Sequence, residues 1–349
     1  MLHLNSVLYF VLATAPIYVA SQQTPVEQIA SLYGLTTSTT FPFPSATATS
    51  SDAETLLVNQ WSLGRGRLQD GPENLAFVAD PFPNAPVPGS PANTSPAGPV
   101  LQVTYNANTF GSVDSGAQFY NLWNATGGST FQSMIASYEL AFDEGFDWVK
   151  GGKLPGLRGG LNSSGCSGGH ESDGRDCFST RLMWRKNGAG EVYAYIPTPN
   201  NLCSTEGITC NPDYGISVQR GAFGFTSGQW NRVTILVRLN NPPNVANGNV
   251  QLYFNGVKAI DQQNLQIRSA SSVSANGFYF STFFGGSDNT WETPKTVHTY
   301  FRNIQLYAGS APSNLTGSKV SAASRSATLG LGSQILSVVL GGAIAALFI

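Results

Sequence analysis

Cys177-Phe178-Ser179-Thr180-Arg181-Leu182-Met183-Trp184 is followed by a turn at Asn187-Gly188-Ala189-Gly190 and then by Val192-Tyr193-Ala194-Tyr195-Ile196. Successive side chains of a strand point to opposite faces. Ser179 and Arg181 therefore share one face, while Phe178, Leu182 and Trp184 share the other. In the second segment Tyr193 and Tyr195 share a face, and Val192, Ala194 and Ile196 form the apolar one. An Asn-Gly turn between alternating runs is a hairpin signal. Paired this way, the hairpin collects Ser179, Arg181, Tyr193 and Tyr195 on one exposed sheet face and turns its apolar face to a core.

Working outward, strand-like runs recur at Val100–Tyr105, Met134–Phe142, Glu191–Ile196, Val233–Leu239, Val250–Phe254, Phe278–Phe284 and Thr299–Tyr307. Gly, Asn and Pro clusters punctuate them. Gln60–Arg65 is expected to add an outer strand, and no helical periodicity is expected to exceed two turns. Asp80–Pro99 is Pro-rich and must be loop, because Pro breaks helices and central strands. So many short strands predict an all-β protein, a β-sandwich of jelly-roll type.

Composition agrees. The chain has 349 residues, 41% hydrophobic, with 38 Gly and 20 Pro. Charged residues are only 11%, against about 25% in an average soluble protein. The 18 basic and 20 acidic residues nearly balance, at net charge −2, with no concentrated basic face of the kind nucleic acid requires.

The two ends carry addresses. Val7–Ala20 is almost wholly apolar and small residues follow, the pattern of a signal peptide over 1–21. Residues 22–51 form a Ser/Thr/Pro-rich segment, with Thr36–Ser51 expected as a linker or O-glycosylated stretch. The strand-rich domain spans 52–310. A polar spacer over 311–334 and an apolar tail over 335–349 match a GPI-anchor signal, with attachment expected at Ser321. Four sequons, at Asn93, Asn124, Asn162 and Asn314, fit the secretory route. So do four cysteines, for which three pairings exist. The short loops favour Cys166 with Cys177 and Cys203 with Cys210. Zinc is disfavoured, because neither C-x-x-C nor paired His is present. The predicted location is extracellular, at the cell surface, as a lipid-anchored monomer.

Asp147-Trp148-Val149-Lys150-Gly151-Gly152-Lys153-Leu154-Pro155-Gly156-Leu157 reads as a Gly-rich loop carrying Lys150 and Lys153, with Arg158 just beyond. It lacks the phosphate-loop pattern. This run resembles the signature of polysaccharide lyase family 14, which includes alginate and glucuronate lyases of jelly-roll fold. Fungal members are similar through Cys166-Ser-Gly-Gly169, Phe178-Ser-Thr-Arg-Leu-Met-Trp184 and Phe280-Ser-Thr-Phe-Phe-Gly-Gly286. The resemblance extends over about Asp52–Gly309. It implies an active site of a Lys in the G-G-K-L-P run, an S-x-R strand and a Y-x-Y strand: Lys153, then Ser179 and Arg181, then Tyr193 and Tyr195. The last four coincide with the face derived above.

The resemblance implies β-elimination on a uronic-acid polymer of alginate or glucuronan type, without a cofactor or metal. A base takes the C5 proton, the C4 oxygen departs and a C4=C5 double bond remains. Arg181 suits neutralisation of the sugar carboxylate. Tyr193 or Tyr195 is expected as base and acid, its pKa depressed by neighbouring cations, with Lys153 as alternative base. Ser179, Lys150 and Arg158 are expected to bind substrate. A glycoside hydrolase would need paired carboxylates, for which Asp143, Glu144 and Asp147 are the candidates. A carbohydrate-binding protein without catalysis would keep the sandwich but has no need of all five polar residues.

Overall fold

The computed structural model describes residues 23–61, 67–90, 98–127, 129–199 and 201–320. The chain runs α1 (Val26–Leu32), β1 (Thr37–Thr40), α2 (Ser50–Gln60), β2 (Arg67–Asp70), β3 (Leu75–Val78), β4 (Val100–Tyr105), β5 (Ala117–Leu122) and β6 (Ser133–Phe142). Next come β7 (Gly151–Gly160), β8 (Cys177–Arg185), β9 (Ala189–Tyr195), β10 (Ile208–Thr209), β11 (Ile216–Gly224) and β12 (Trp230–Arg238). β13 (Val245–Ala246), β14 (Gly248–Phe254), β15 (Val257–Leu265), β16 (Ala275–Phe284), β17 (Val297–Gly309) and β18 (Ser318–Lys319) complete it.

Two antiparallel sheets face each other, as the alternating strands predict. The first is ordered β15-β14-β12-β6-β17-β4-β3, with β1 also pairing β17. The second is ordered β10-β11-β9-β8-β7-β16-β5-β2. Their inner faces enclose one core, into which Phe178, Leu182, Trp184, Val192, Ala194 and Ile196 point from the hairpin. Each fully buried large apolar side chain contributes about 1.5–3 kcal/mol.

Three expectations need correction. Thr36–Ser51 is no linker, because Thr37–Thr40 adds to β17 in register with Gln305–Ala308 and Phe41 is buried. Thr suits an edge strand, whatever its frequency in linkers. Gln60 ends a helix of 11 residues, and Ser62–Arg65 lie outside the described residues; an outer strand runs over Arg67–Asp70. That helix exceeds two turns because Ala53, Leu57 and Trp61, four apart, all enter the core. The Pro-rich segment is irregular as expected over its described residues, and Val87 and Phe82 lay it against the first sheet.

The first sheet's outer face is covered. α1 seats Ile29 and Ala30 against Ile135, Leu236 and Tyr253. Asp80 of the Pro-rich segment pairs with Arg302, and Glu139 takes both Arg302 and Arg232. The second sheet's outer face carries the polar side chains of the hairpin. Both disulfides form as the loop lengths favoured, Cys166–Cys177 and Cys203–Cys210. Residues 1–21 and Ser321 with the tail lie outside the described residues, as does Asn93. Asn124 and Asn314 are exposed; the Asn162 amide instead donates to Asp176 at 2.7 Å.

Candidate active site

The two segments pair as an antiparallel hairpin, β8 with β9. Ser179 faces Tyr195, and Arg181 faces Tyr193, on β8 and β9. Lys153 joins them from β7, opposite Met183. The Gly-rich run is therefore a strand and not a loop. Its glycines let it lie close beneath β8: a Cβ at Gly156 would come within 2.0 Å of the Thr180 carbonyl.

A bulge in β7 decides what reaches the site. Leu154 pairs Leu182 and Leu157 pairs Thr180, so Pro155 and Gly156 together oppose Arg181 alone. Pro155 has no N–H to donate to a ladder, and its carbonyl accepts the Tyr138 hydroxyl at 2.7 Å from the opposite sheet. Lys153 and Arg158 are five apart and would face opposite ways on a regular strand. The extra residue turns both outward. Arg158 lies 4.5 Å from the Tyr120 ring centroid and 6.0 Å from that of Tyr279. Lys150 is not brought in. It sits in the exposed turn before β7, bonded to Thr290 and 5.7 Å from the Trp291 ring.

The face is less open than expected. Arg181 is 1% exposed, Ser179 1%, Tyr195 3% and Tyr193 6%. What covers them is loop and not the other sheet. Ser179 donates to the Cys166 carbonyl at 2.6 Å, Ser167 meets the Tyr279 hydroxyl at 3.1 Å, and the Gly169 N–H donates to the Tyr195 hydroxyl at 3.1 Å. From the other side the Gly215 N–H donates to the Tyr193 hydroxyl at 3.0 Å.

Arg181 is a buried cation with no carboxylate partner among the described residues. Its Nη1 donates to Ser281 at 2.9 Å, and its plane lies 4.7 Å from the Tyr279 centroid and 5.9 Å from that of Tyr195. Nε and Nη2 have no hydrogen-bond partner among the described residues. These two atoms form the side edge of the guanidinium, the fork that takes a carboxylate with two parallel bonds.

Lys153 extends its Nζ 3.6 Å from the Tyr193 ring centroid and 2.9 Å from the Met183 sulfur. A thioether is a weak acceptor. Burial, with Arg181 and Arg185 nearby, holds the Lys153 pKa well below the ordinary lysine value, against an opposing pull from Glu191. The depression expected for the phenols is not found at Tyr193. Its burial and the neighbouring Tyr195 raise its pKa, and these outweigh Arg181.

Three further residues on this face escaped the motif reading. Ser281 and Tyr279 alternate with Phe280, which points into the core, so period two could have found them. Met183 follows from the parity of Ser179 and Arg181. The carboxylates of a hydrolase are not assembled. Asp143 is taken by His298 and Tyr300, Asp147 caps the Val149 N–H, and Glu191 on this face is held by Arg185, Arg220 and Ser217. Among the described residues one group has metal-ligand spacing, Cys166, Asp176 and Cys177, and its two sulfurs form a disulfide.

Comparison with known proteins follows the same lines. A family model described as polysaccharide lyase 14 matches residues 93–304. A marine PL-14 alginate lyase from Aplysia kurodai is 29% identical, with a TM-score of 0.62 over 77% of this chain and 100% of that one. The alginate lyase vAL-1 from a Chlorella virus is 22% identical, with a TM-score of 0.54 over 76% and 99%. A variant of the alginate lyase Aly36B in complex with alginate trisaccharide is 18% identical, with a TM-score of 0.56 over 79% and 99%. No curated protein matches the chain.

Proposed function

The chain belongs to polysaccharide lyase family 14, and from that premise we propose that it cleaves uronic-acid polymers by β-elimination on the outer face of its second sheet. It is a polysaccharide lyase, and its substrate is an acidic polysaccharide of alginate or glucuronan type. Its two disulfides fit a secreted protein. One observation carries the site assignment: a buried guanidinium holds an unused two-donor edge on the same face as a lysine amine whose pKa burial lowers.

The chemistry follows from what each group can hold. The C5 proton is poorly acidic while the adjacent carboxylate is charged. The Nε–Nη2 edge of Arg181 forks that carboxylate and stabilises the charge that grows on it as the proton leaves. Lys153, whose pKa burial lowers, takes the proton as its free amine and is a better base than Tyr193, whose pKa is raised. Electrons from the C5–H bond form the C4=C5 double bond as the C4–O bond breaks. Tyr195 gives its hydroxyl proton to the departing oxygen, since that hydroxyl already accepts from Gly169 and keeps its own proton to donate. Ser179 and Arg158 lie next in the row and hold the flanking sugar. Lys150 lies apart from this row, on Thr290. For the polymer to reach Arg181, the loop 161–176 must shift; the Cys166–Cys177 disulfide and the Ser179 hydrogen bond to Cys166 anchor it at one point, and its contacts over Tyr279 and Tyr195 are single hydrogen bonds.

The same reading includes attachment of the mature chain to the membrane by a GPI lipid at Ser321, as a monomer; a phospholipase that cuts such anchors should release it. The activity test is incubation of residues 22–320 with polymannuronate, polyguluronate and glucuronan. The expected result is oligosaccharides with the ultraviolet absorbance of an unsaturated uronate. Products that gain water and lack that absorbance would overturn the reading.

A further inference from the structure

Arg181 is held in place by a directional chain of hydrogen bonds that ends far from any motif. Its Nη1 donates to the Ser281 hydroxyl at 2.9 Å. Ser281 donates to the Gln118 Oε1 at 3.0 Å. Gln118 donates from Nε2 to Asp70 Oδ2 at 3.1 Å, and Ser112 donates to the same oxygen at 2.8 Å. The chain crosses β8, β16, β5 and β2.

Its two ends decide every proton between them. A guanidinium only donates and a carboxylate only accepts. Asp70 therefore obliges Gln118 to present its NH2, which leaves the amide oxygen facing Ser281. Ser281 must then spend its single proton on Gln118 and turn a lone pair to Arg181. No member can reverse while both ends stay charged. The register supports this order, since Ser281 is opposite Gln118 on β16 and β5.

We propose that Ser281, Gln118 and Asp70 are positioning residues for Arg181, a relay that aims its Nε–Nη2 edge at the substrate carboxylate without neutralising the cation. The proposal rests on the lyase reading above. A direct Asp or Glu partner would hold Arg181 equally firmly but would occupy the fork and cancel the charge. A neutral serine takes one donor and leaves two. Asp70 acts three hydrogen bonds away, where it polarises the chain and leaves the Nε–Nη2 edge of the guanidinium unoccupied. Sequence reading assigns nothing to Gln118 or Asp70, because the relay exists only where β8, β7, β16, β5 and β2 lie side by side, with Arg181 reaching past β7.

The experiment compares Ser281→Ala, Ser281→Thr and Gln118→Leu with the parent, by steady-state kinetics on a polyuronate and by calorimetric titration with a tri-uronate. Ser281→Ala should lower kcat about 10- to 100-fold, the usual consequence of removing a group that orients a reacting contact, with KM changed less. Ser281→Thr keeps the hydroxyl and should recover most of kcat. Gln118→Leu, half-buried at the edge of the chain, should lower kcat less than Ser281→Ala and serves if the latter fails to fold. Retention of kcat in both Ser281→Ala and Gln118→Leu would overturn the relay, as would Ser281→Thr falling as far as Ser281→Ala. A parent that makes no unsaturated product but binds the tri-uronate would sink the lyase reading alone. The relay then stands if Ser281→Ala weakens that binding and Ser281→Thr does not, and falls otherwise.

Discussion

Two buried arginines lie on the outer faces of the two sheets, and they are held in opposite ways. Arg302, on the first sheet, is 3% exposed; its Nε meets Glu139, its Nη1 meets Asp80, and its guanidinium lies 3.9 Å from the Trp230 ring. Arg181, on the second, is 1% exposed and meets one serine. Burial of a charge is costly unless it is paired. The first sheet meets that cost with carboxylates and covers the result with α1 and the Pro-rich segment. The second sheet leaves it standing. A fold tolerates such a cation only when the rest of the core over-determines it, and the price is a group ready for an incoming anion.

The comparison breaks first at the base. Lys153→Ala should abolish turnover, a loss of about 10²–10⁴-fold or more, while binding of a tri-uronate persists. Turnover that survives would move the base elsewhere on the face.

Next comes a matched exchange of the two arginines for methionine. Arg302→Met leaves Glu139 and Asp80 short of a partner and should cost about 3–5 kcal/mol of stability, read by denaturant unfolding. Arg181→Met strands no carboxylate. It should leave the unfolding midpoint unchanged or raise it, and it should remove activity. If both variants unfold alike, the contrast between the sheets is wrong.

A smaller effect sharpens the electrostatics. Lys153 works as its free amine, so kcat/KM should rise with pH through its lowered pKa and level off well below pH 10.5, the ordinary lysine value. Glu191 pulls that pKa upward. Removing the charge by Glu191→Gln should therefore move the acid limb to still lower pH. An acid limb at the ordinary lysine value would contradict the burial argument. The smallest effect belongs to the surface: Asn124→Gln and Asn314→Gln should each lower the mass of the secreted protein by one glycan and leave kinetics unchanged. A change in kcat would tie those exposed sites to the reactive face.

Much of this is legible in the sequence. Alternation in Cys177–Trp184 and Val192–Ile196 placed Ser179, Arg181, Tyr193 and Tyr195 on one face, because period two survives in strands that are regular. It failed where regularity failed. The outward placement of both Lys153 and Arg158 depends on the β7 bulge, whose presence is a matter of how Pro155 and Gly156 meet β8 and Tyr138. The helix Ser50–Gln60 was legible in Ala53, Leu57 and Trp61 but was hidden by the Ser/Thr-rich composition around it. The closure of the face by two loops was not legible, since a loop's resting place is decided by contacts across the fold. Nor was the sign of the Tyr193 shift, because burial outweighed the cations that the motif brings close.

The most direct test is a crystal structure of Lys153→Ala with a bound tri-uronate. The account predicts one sugar carboxylate on the Nε–Nη2 edge of Arg181, both oxygens within hydrogen-bond distance, with C5 facing the space left by the lysine. A carboxylate bound to Arg158 or Arg220 instead, with that edge of Arg181 still unused, would contradict it.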